Sequence, residues 1–175
     1  LGIHAHNDGN LAVANSLAAY EEGAVQVQGT VGGLGERCGN ADLCSVIPSL
    51  QLKYGEKVVT DEQLKQLKPL YFFVTETANL IPRNNKRYVG KSAFTHKGGI
   101  HVSAVRKNPH TYEHIEPELV GNERRVLVSE LAGKSNLRYK LKEIGFDLDD
   151  FSDQMIKKLI KKVKALENQG YQFEG

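Results

Sequence analysis

Two histidines one residue apart are the first residues whose spacing suggests chemistry. In His4-Ala5-His6-Asn7-Asp8 the imidazoles sit at positions i and i+2, and on a strand those positions share a face. Both rings can then reach one ion from a strand's C-terminal end, and neutral imidazole is a common ligand for divalent transition metals. An H-x-H pair alone fits two structural or surface histidines equally well, so the next segment carries weight. Val25 to Thr30 alternates like a second strand and runs into a glycine-rich turn, Val31 to Gly39, and then Asn40. In a parallel β/α sheet both strand ends open on one face, which would bring the Asn40 amide oxygen near the imidazoles. Two histidines, an amide oxygen and open positions suit Mg²⁺, Mn²⁺ or Zn²⁺ holding an oxygen-rich substrate.

The glycine turn resembles a nucleotide loop but fails its test. Gly33-Leu34-Gly35 is followed by Cys38 where G-x-G-x-x-G requires glycine, and there is no Walker A lysine. The turn serves either to let backbone and Glu36 approach a metal-held substrate or simply to join a strand to a helix. Cys38 reads as a small loop residue, because no base is evidently paired with it. His110 and His114 read as surface loop residues.

The elements that must position these residues are legible in outline. Leu1 to Ile3 looks like a strand end. Residues 10–22 are Ala- and Leu-rich and predict a buried helix, ended by Gly23. Residues 40–54 predict another, kinked at Pro48. The first 55 residues thus run strand, helix, strand, glycine loop, helix, the rhythm of β/α repeats around a parallel sheet. Thr60-Asp61-Glu62-Gln63 is a capping box opening a helix to about Leu80. Residues 83–123 read as loop-rich, Arg124 to Ser129 as a short strand, and 134–144 and 151–169 as helices. In the last, Phe151, Met155, Ile156, Leu159, Ile160, Val163 and Leu166 form one stripe at helical spacing, with Lys157, Lys158, Lys161, Lys162 and Lys164 off it. The expected division is 1–82, 83–133 and 134–175.

Composition narrows the function classes. The 175 residues carry 23 Lys plus Arg against 21 Asp plus Glu, a net charge of +2, which gives no mandate for nucleic acid or membrane binding. No apolar run reaches the roughly 20 residues a membrane span needs. Two cysteines make no disulfide framework, so the cytoplasm is the default location.

HAHNDGNLAVANSLAAYEEGAVQVQGTVGGLGERCGNADLC and the later FTHKGGIHVSAVRKNPHTYEHIEPELVGNERRVLVSELAGKSN resemble the isopropylmalate, homocitrate and citramalate synthase family, the second stretch resembling its citramalate synthase-like branch. The likeness covers nearly the whole chain. It implies a helix-rich α/β fold, the C-terminal portion of a (β/α)₈ TIM barrel followed by a mostly helical linker region. It implies an acyltransferase that joins acetyl-CoA to an α-keto acid, pyruvate giving citramalate, with 2-isopropylmalate or homocitrate synthesis as the alternative. Matched onto this chain, His4, His6 and Asn40 would be ligands of a divalent metal (Mg, Mn or Zn). Glu36 and Arg37 fall in the family's glycine loop. His101, in GGIH, matches a linker histidine presented to a partner subunit's active site, implying a homodimer built through the linker, and Tyr112 lies near the position of a linker tyrosine. The family's early D-R-E motif, a carboxylate ligand and an arginine, has no counterpart here. Two strand–helix units stand where a closed barrel needs eight in about 250 residues, so the expectation is a fragment, inactive alone, that needs more chain on its N-terminal side.

Two other readings remain at this point. From Thr77 to Tyr112 there is no acidic residue but seven basic ones, Arg83, Lys86, Arg87, Lys91, Lys97, Arg106 and Lys107. Arg106 and Lys107 would suit the phosphates of CoA, against a solvated loop. The fragment could instead be a non-catalytic helical assembly module with the Phe151–Leu166 stripe as its dimer core. A related barrel lyase, a family with a catalytic cysteine in the corresponding loop, is disfavoured by GGIH.

Overall fold

The strands β1 (Gly2–His4) and β2 (Gln26–Gln28) pair in parallel, with Gly2, Ile3 and His4 opposite Gln26, Val27 and Gln28. Helix α1 (Ala12–Glu21) connects them, so the β/α rhythm expected of this segment is present. The computed structural model describes residues 1–127 and 133–171, a helix-rich α/β chain of two compact units. One unit comprises residues 1–93 and 117–123; the other comprises 94–116 and 124 onward.

In the first unit the core gathers behind β1 and β2. Ala12, Ala41, Val46 and Leu50 are buried there, with Val13, Leu17, Tyr20 and Val27 packed on them. α1 is less buried than its composition predicts: only Ala12 and Ser16 are fully covered. Its first turn is capped by Asn7, whose Oδ1 accepts from Ala12 N–H at 3.1 Å, and Gly23 at φ 92° follows its end. Helix α2 (Leu43–Lys53) begins three residues later than expected because Asp42 takes the N-cap, accepting from Cys44 N–H at 3.0 Å. It runs on through Pro48, which is buried in its interior.

The expected helix from Thr60 to Leu80 is two helices, α3 (Asp61–Leu64) and α4 (Leu67–Thr77). The capping box at Thr60 and Gln63 is present, with bonds of 3.2 and 2.9 Å. The break has a steric cause. Pro69 lacks an N–H and its ring would meet the carbonyl four residues back, at Lys65. That freed carbonyl packs so tightly on Gly121 (φ 72°) that a Cβ there would lie 2.0 Å from it.

In the second unit β3 (Thr95–His96) pairs in parallel with β4 (Arg125–Val126). The strand expected over Arg124–Ser129 is this short, and Val128 and Ser129 lie outside the described residues. Helix α5 (Gly99–Lys107) stands where a glycine-rich loop was expected. Gly98 is its N-cap rather than a breaker, and Val102 and Val105 fix it to the core. Helices α6 (Lys134–Glu143) and α7 (Asp153–Glu167) pack Leu137 and Leu141 against Ile156, with Leu159 and Ile160 beside them. Burying Ile156 completely contributes about 1.5–3 kcal/mol. This face of the α7 stripe is therefore covered within the unit. Met155, placed on the stripe by spacing, is 47 % exposed, and the five lysines are exposed as expected.

Candidate functional site

The chain beyond β1 is stitched to the end of the glycine loop. Asn7 N–H donates to the Gly39 carbonyl at 2.8 Å and Ala41 N–H to the Ala5 carbonyl at 3.0 Å, so His6 and Asn40 face each other in an antiparallel bridge. Asp8 is clasped by the Arg37 guanidinium, Nε to Oδ1 at 2.7 Å and Nη2 to Oδ2 at 3.1 Å. Those hydrogen bonds hold the Asp8 carboxyl below its ordinary range, but both groups are exposed, so the pair adds little stability. Its effect is to fix the loop: Arg37 sits at φ 54°, a conformation that needs an anchor.

His4 and His6 lie side by side, ring centroids 5.2 Å apart and edge to face. The parallel register sets Gln28 opposite His4, and the Gln28 Oε1 lies 3.1 Å from His4 Nδ1. With the proton on Nδ1 donated to that oxygen, Nε2 carries the lone pair, the arrangement that orients a ligating imidazole. Both rings are exposed. Asn40 donates from Nδ2 to the Leu34 carbonyl at 3.2 Å, while its Oδ1 is buried with no hydrogen-bond partner. An orphaned buried acceptor costs about 1–3 kcal/mol. A cation bound by that oxygen and the two imidazoles would remove the penalty, so the donor set fits a divalent metal. Among the described residues no three of His, Cys, Asp and Glu are grouped to hold one, so an amide oxygen would have to complete any set built on these two imidazoles.

The glycines hold the amide in place. A Cβ on Gly35 would lie 2.5 Å from Asn40 Nδ2, and one on Gly39 would lie 1.9 Å from the Gly33 carbonyl. Beneath the loop Lys86 donates to the Gly32 carbonyl at 2.7 Å and pairs with Asp42 at 2.9 Å, tying the loop to the cap of α2. A cavity of about 360 Å³ opens here, lined by Asn7, Arg37, Cys38, Asn40, Arg83 and Lys86 among others. Glu36 points to solvent, 85 % exposed and 3.8 Å from Arg37.

The seven basic residues fall on both units. Arg83, Lys86, Arg87 and Lys91 belong to the first unit and Lys97, Arg106 and Lys107 to the second. Lys86 is committed to the loop, and Arg106 lies 5.8 Å over the Tyr139 ring, leaving it exposed together with Lys107 on the last turn of α5. Also in the second unit, His101, in the first turn of α5, meets Tyr112 with ring centroids 4.4 Å apart. Thus the spacing-based pair His4–His6 joins Asn40, and His101 joins Tyr112. Gln28 and Lys86 were not singled out. The alternation VQVQ carried a signal for Gln28, since parallel pairing sets it opposite His4; nothing local marked Lys86.

Cys44 is buried, and burial together with the Asp42 carboxylate pushes its thiol up to about 12. Cys38 is exposed. Titration of the native protein with a disulfide reagent should therefore modify Cys38 promptly and Cys44 only on unfolding; equal rates would mean that Cys44 is not sealed by its surroundings.

Behind His101 and Tyr112 lies an ionic cluster. Glu113, 2 % exposed at its side chain, accepts from His96 Nε2 at 2.9 Å and from Arg124 Nε at 2.7 Å. Burial alone would raise the Glu113 carboxyl, but the hydrogen bonds from Arg124 and His96 outweigh it and hold the carboxyl below its usual 4.5. A depressed carboxyl lends stability that is fully present above its unfolded value and is lost as pH falls through the folded one. The unfolding midpoint of the protein should thus drop as pH falls below about 4.5, and Glu113→Gln should flatten that drop. An unchanged acid limb in the variant would assign it to other carboxyls.

Two protein families match successive parts of the chain. Residues 1–72 match the HMGL-like family and residues 88–171 match the homocitrate synthase post-HMGL domain-like family. The chain thus carries an HMGL-like segment followed by a homocitrate synthase post-HMGL domain-like segment. Its strand–helix units are accordingly those of a TIM-barrel family, within a helix-rich α/β chain. It is 55 % identical, over all of its length, to an (R)-citramalate synthase of Geobacter sulfurreducens, and 59 % identical over 99 % of its length to one of Aquifex aeolicus. It is 41 % identical over 97 % of its length to a 2-isopropylmalate synthase of Methanocaldococcus jannaschii. The chain spans about a third of the length of these relatives, 33 % in each case. No helix among the described residues is long and apolar enough to cross a membrane.

Proposed function

We propose that the whole protein is an acyltransferase that condenses acetyl-CoA with an α-keto acid, pyruvate giving citramalate, and that this chain supplies part of its metal site and its proton-transfer pair. The observation that carries the reading is the buried, unpartnered Asn40 Oδ1 on a residue that the backbone sets opposite His6, whose ring lies 5.2 Å from that of His4. His4 and His6 would ligate through Nε2 and Asn40 through Oδ1. A divalent cation held there (Mg²⁺, Mn²⁺ or Zn²⁺) supplies Lewis-acid activation of a keto acid's carbonyl. Gln28 keeps His4 in the ligating tautomer, and Gly35 keeps the Asn40 amide turned inward. The glycine loop, with Glu36 on it, borders the cavity in which a small keto acid would lie.

His101 and Tyr112 serve the acetyl-CoA side. A base removes a proton from the acetyl methyl group, the enolate attacks the ketone carbon, and the thioester is then hydrolysed to release CoA. His101, with Tyr112 against its ring, handles that methyl proton. On the family pattern it does so for a partner subunit's site, in a homodimer. Arg106 and Lys107 would bind the CoA phosphates. Pyruvate is favoured because the (R)-citramalate synthases carry the highest identities above.

A thiol-detection assay of CoA release from acetyl-CoA and pyruvate with Mn²⁺ tests this. The whole protein should release CoA with pyruvate faster than with 2-oxoisovalerate or 2-oxoglutarate. This 175-residue chain alone should release none, since two imidazoles and an amide lack the carboxylate that a hard cation favours and two strands leave open sheet edges. Turnover by the chain alone would overturn the division of labour proposed here, and preference for another keto acid would overturn the substrate.

A further inference from the structure

We propose that the buried His96–Glu113–Arg124 cluster is a positioning device that holds Tyr112 against His101, a proposal that rests on the proton-transfer reading of that pair. Tyr112 and Glu113 are consecutive, so a fixed Glu113 carboxylate fixes the backbone from which the tyrosine ring projects. The carboxylate is gripped from two strands at once. His96 is the last residue of β3 and Arg124 immediately precedes β4, and these strands pair through Thr95–Arg125 and His96–Val126. Arg124 presents both Nε and Nη2 to the two Glu113 oxygens while His96 Nε2 takes one of them, a fork that sets orientation as well as distance. The outer edge of the cluster is closed by Glu116, 3.5 Å from Arg124 and 3.4 Å from His110.

The turn is closed by its own hydrogen bonds. Tyr112 and Glu113 N–H groups both donate to the Pro109 carbonyl, at 3.1 and 3.0 Å, and Asn108 Oδ1 accepts from His110 N–H at 3.1 Å. One end of this turn is thus locked by its own hydrogen bonds and the other is anchored to the sheet. What protrudes is the Tyr112 ring, 48 % exposed, resting at 4.4 Å on the His101 imidazole. His101 in turn sits on a helix seated by Val102 and Val105. A buried carboxylate is costly unless fully partnered, and here both partners come from the paired β3–β4 segments.

The test is a double-mutant cycle in the whole protein, with Glu113→Gln and Arg124→Lys each made alone and on Tyr112→Phe. A misplaced catalytic group loses on the order of ten- to a hundredfold in rate, so either substitution alone should lower kcat by that amount with the KM for the keto acid held within about twofold. On Tyr112→Phe neither should lower kcat further. Losses that multiply with that of Tyr112→Phe, or an unchanged kcat in a folded variant, would overturn the positioning role. If Glu113→Gln fails to fold by circular dichroism, Arg124→Lys, which keeps the charge and loses the fork, decides by the same cycle. If Tyr112→Phe and His101→Ala both turn over like the parent, the proton-transfer reading itself is wrong and the positioning role falls with it.

Discussion

Replacing Asn40 by Ala in the whole protein should weaken Mn²⁺ binding by on the order of a hundredfold or more, since losing even an outer-shell partner of a ligand costs 10–100-fold. The proposed condensation should slow with it, by on the order of 10² to 10³, because carbonyl activation by a cation is worth several kcal/mol. The stability of the metal-free protein should move the other way from an ordinary core truncation. Asn40 Oδ1 is buried without a partner, a penalty of about 1–3 kcal/mol that the substitution removes. The lost Nδ2 bond to the Leu34 carbonyl offsets about 1 kcal/mol of that gain. The melting temperature without metal should therefore stay within a few degrees of the parent, while the increase on adding Mn²⁺ disappears. A large fall in the metal-free melting temperature with intact Mn²⁺ affinity would make Asn40 a structural residue and remove the ligand assignment.

The second large effect belongs to a residue with no functional atoms. Gly39→Ala places a Cβ 1.9 Å from the Gly33 carbonyl at φ 87°. Left-handed strain costs about 1–3 kcal/mol, and relieving the overlap must displace either the Gly33 turn or the strand-like segment from Gly39 to Ala41. That segment carries the Gly39 carbonyl bonded to Asn7 and the His6–Asn40 bridge, so metal affinity and stability should fall together, stability by about 3 kcal/mol or more in urea unfolding. Gly23→Ala is the control. Gly23 has φ 92° but open space around its Cβ position, so it should cost about 1 kcal/mol and leave Mn²⁺ affinity unchanged. Similar losses from both would mean that backbone strain, not the close approach in the loop, is what Gly39 relieves.

The parts of the fold that the sequence made legible were those with local causes. The Thr60–Gln63 capping box, the glycine after α1 and the β/α order of the first 55 residues are set by neighbours along the chain. The errors were tertiary. The helix from Thr60 breaks at Lys65 because Pro69 and Gly121 act on one carbonyl from positions 4 and 56 residues later. α5 was hidden because Gly98 and Gly99 look like breakers, and only the burial of Val102 and Val105 against the rest of the unit makes a nine-residue helix worthwhile. In the candidate site, strand spacing singled out His4 and His6 and the loop after β2 singled out Asn40, but His6 lies beyond β1 and meets Asn40 through an antiparallel bridge rather than at parallel strand ends. Gln28 needed the register, and Lys86 needed the three-dimensional path back to Asp42 and Gly32. His96, Glu113 and Arg124 are spread over 29 positions and declare themselves only as a buried cluster.

Anomalous diffraction at the manganese edge from crystals of the whole protein grown with Mn²⁺ tests the central assignment most directly. The account predicts one strong peak about 2.0–2.3 Å from the ring nitrogens of His4 and His6 and from Asn40 Oδ1, distances that imidazole and oxygen ligands adopt around such ions. A peak at other residues, or an Asn40 carboxamide turned away from a bound ion, would contradict it.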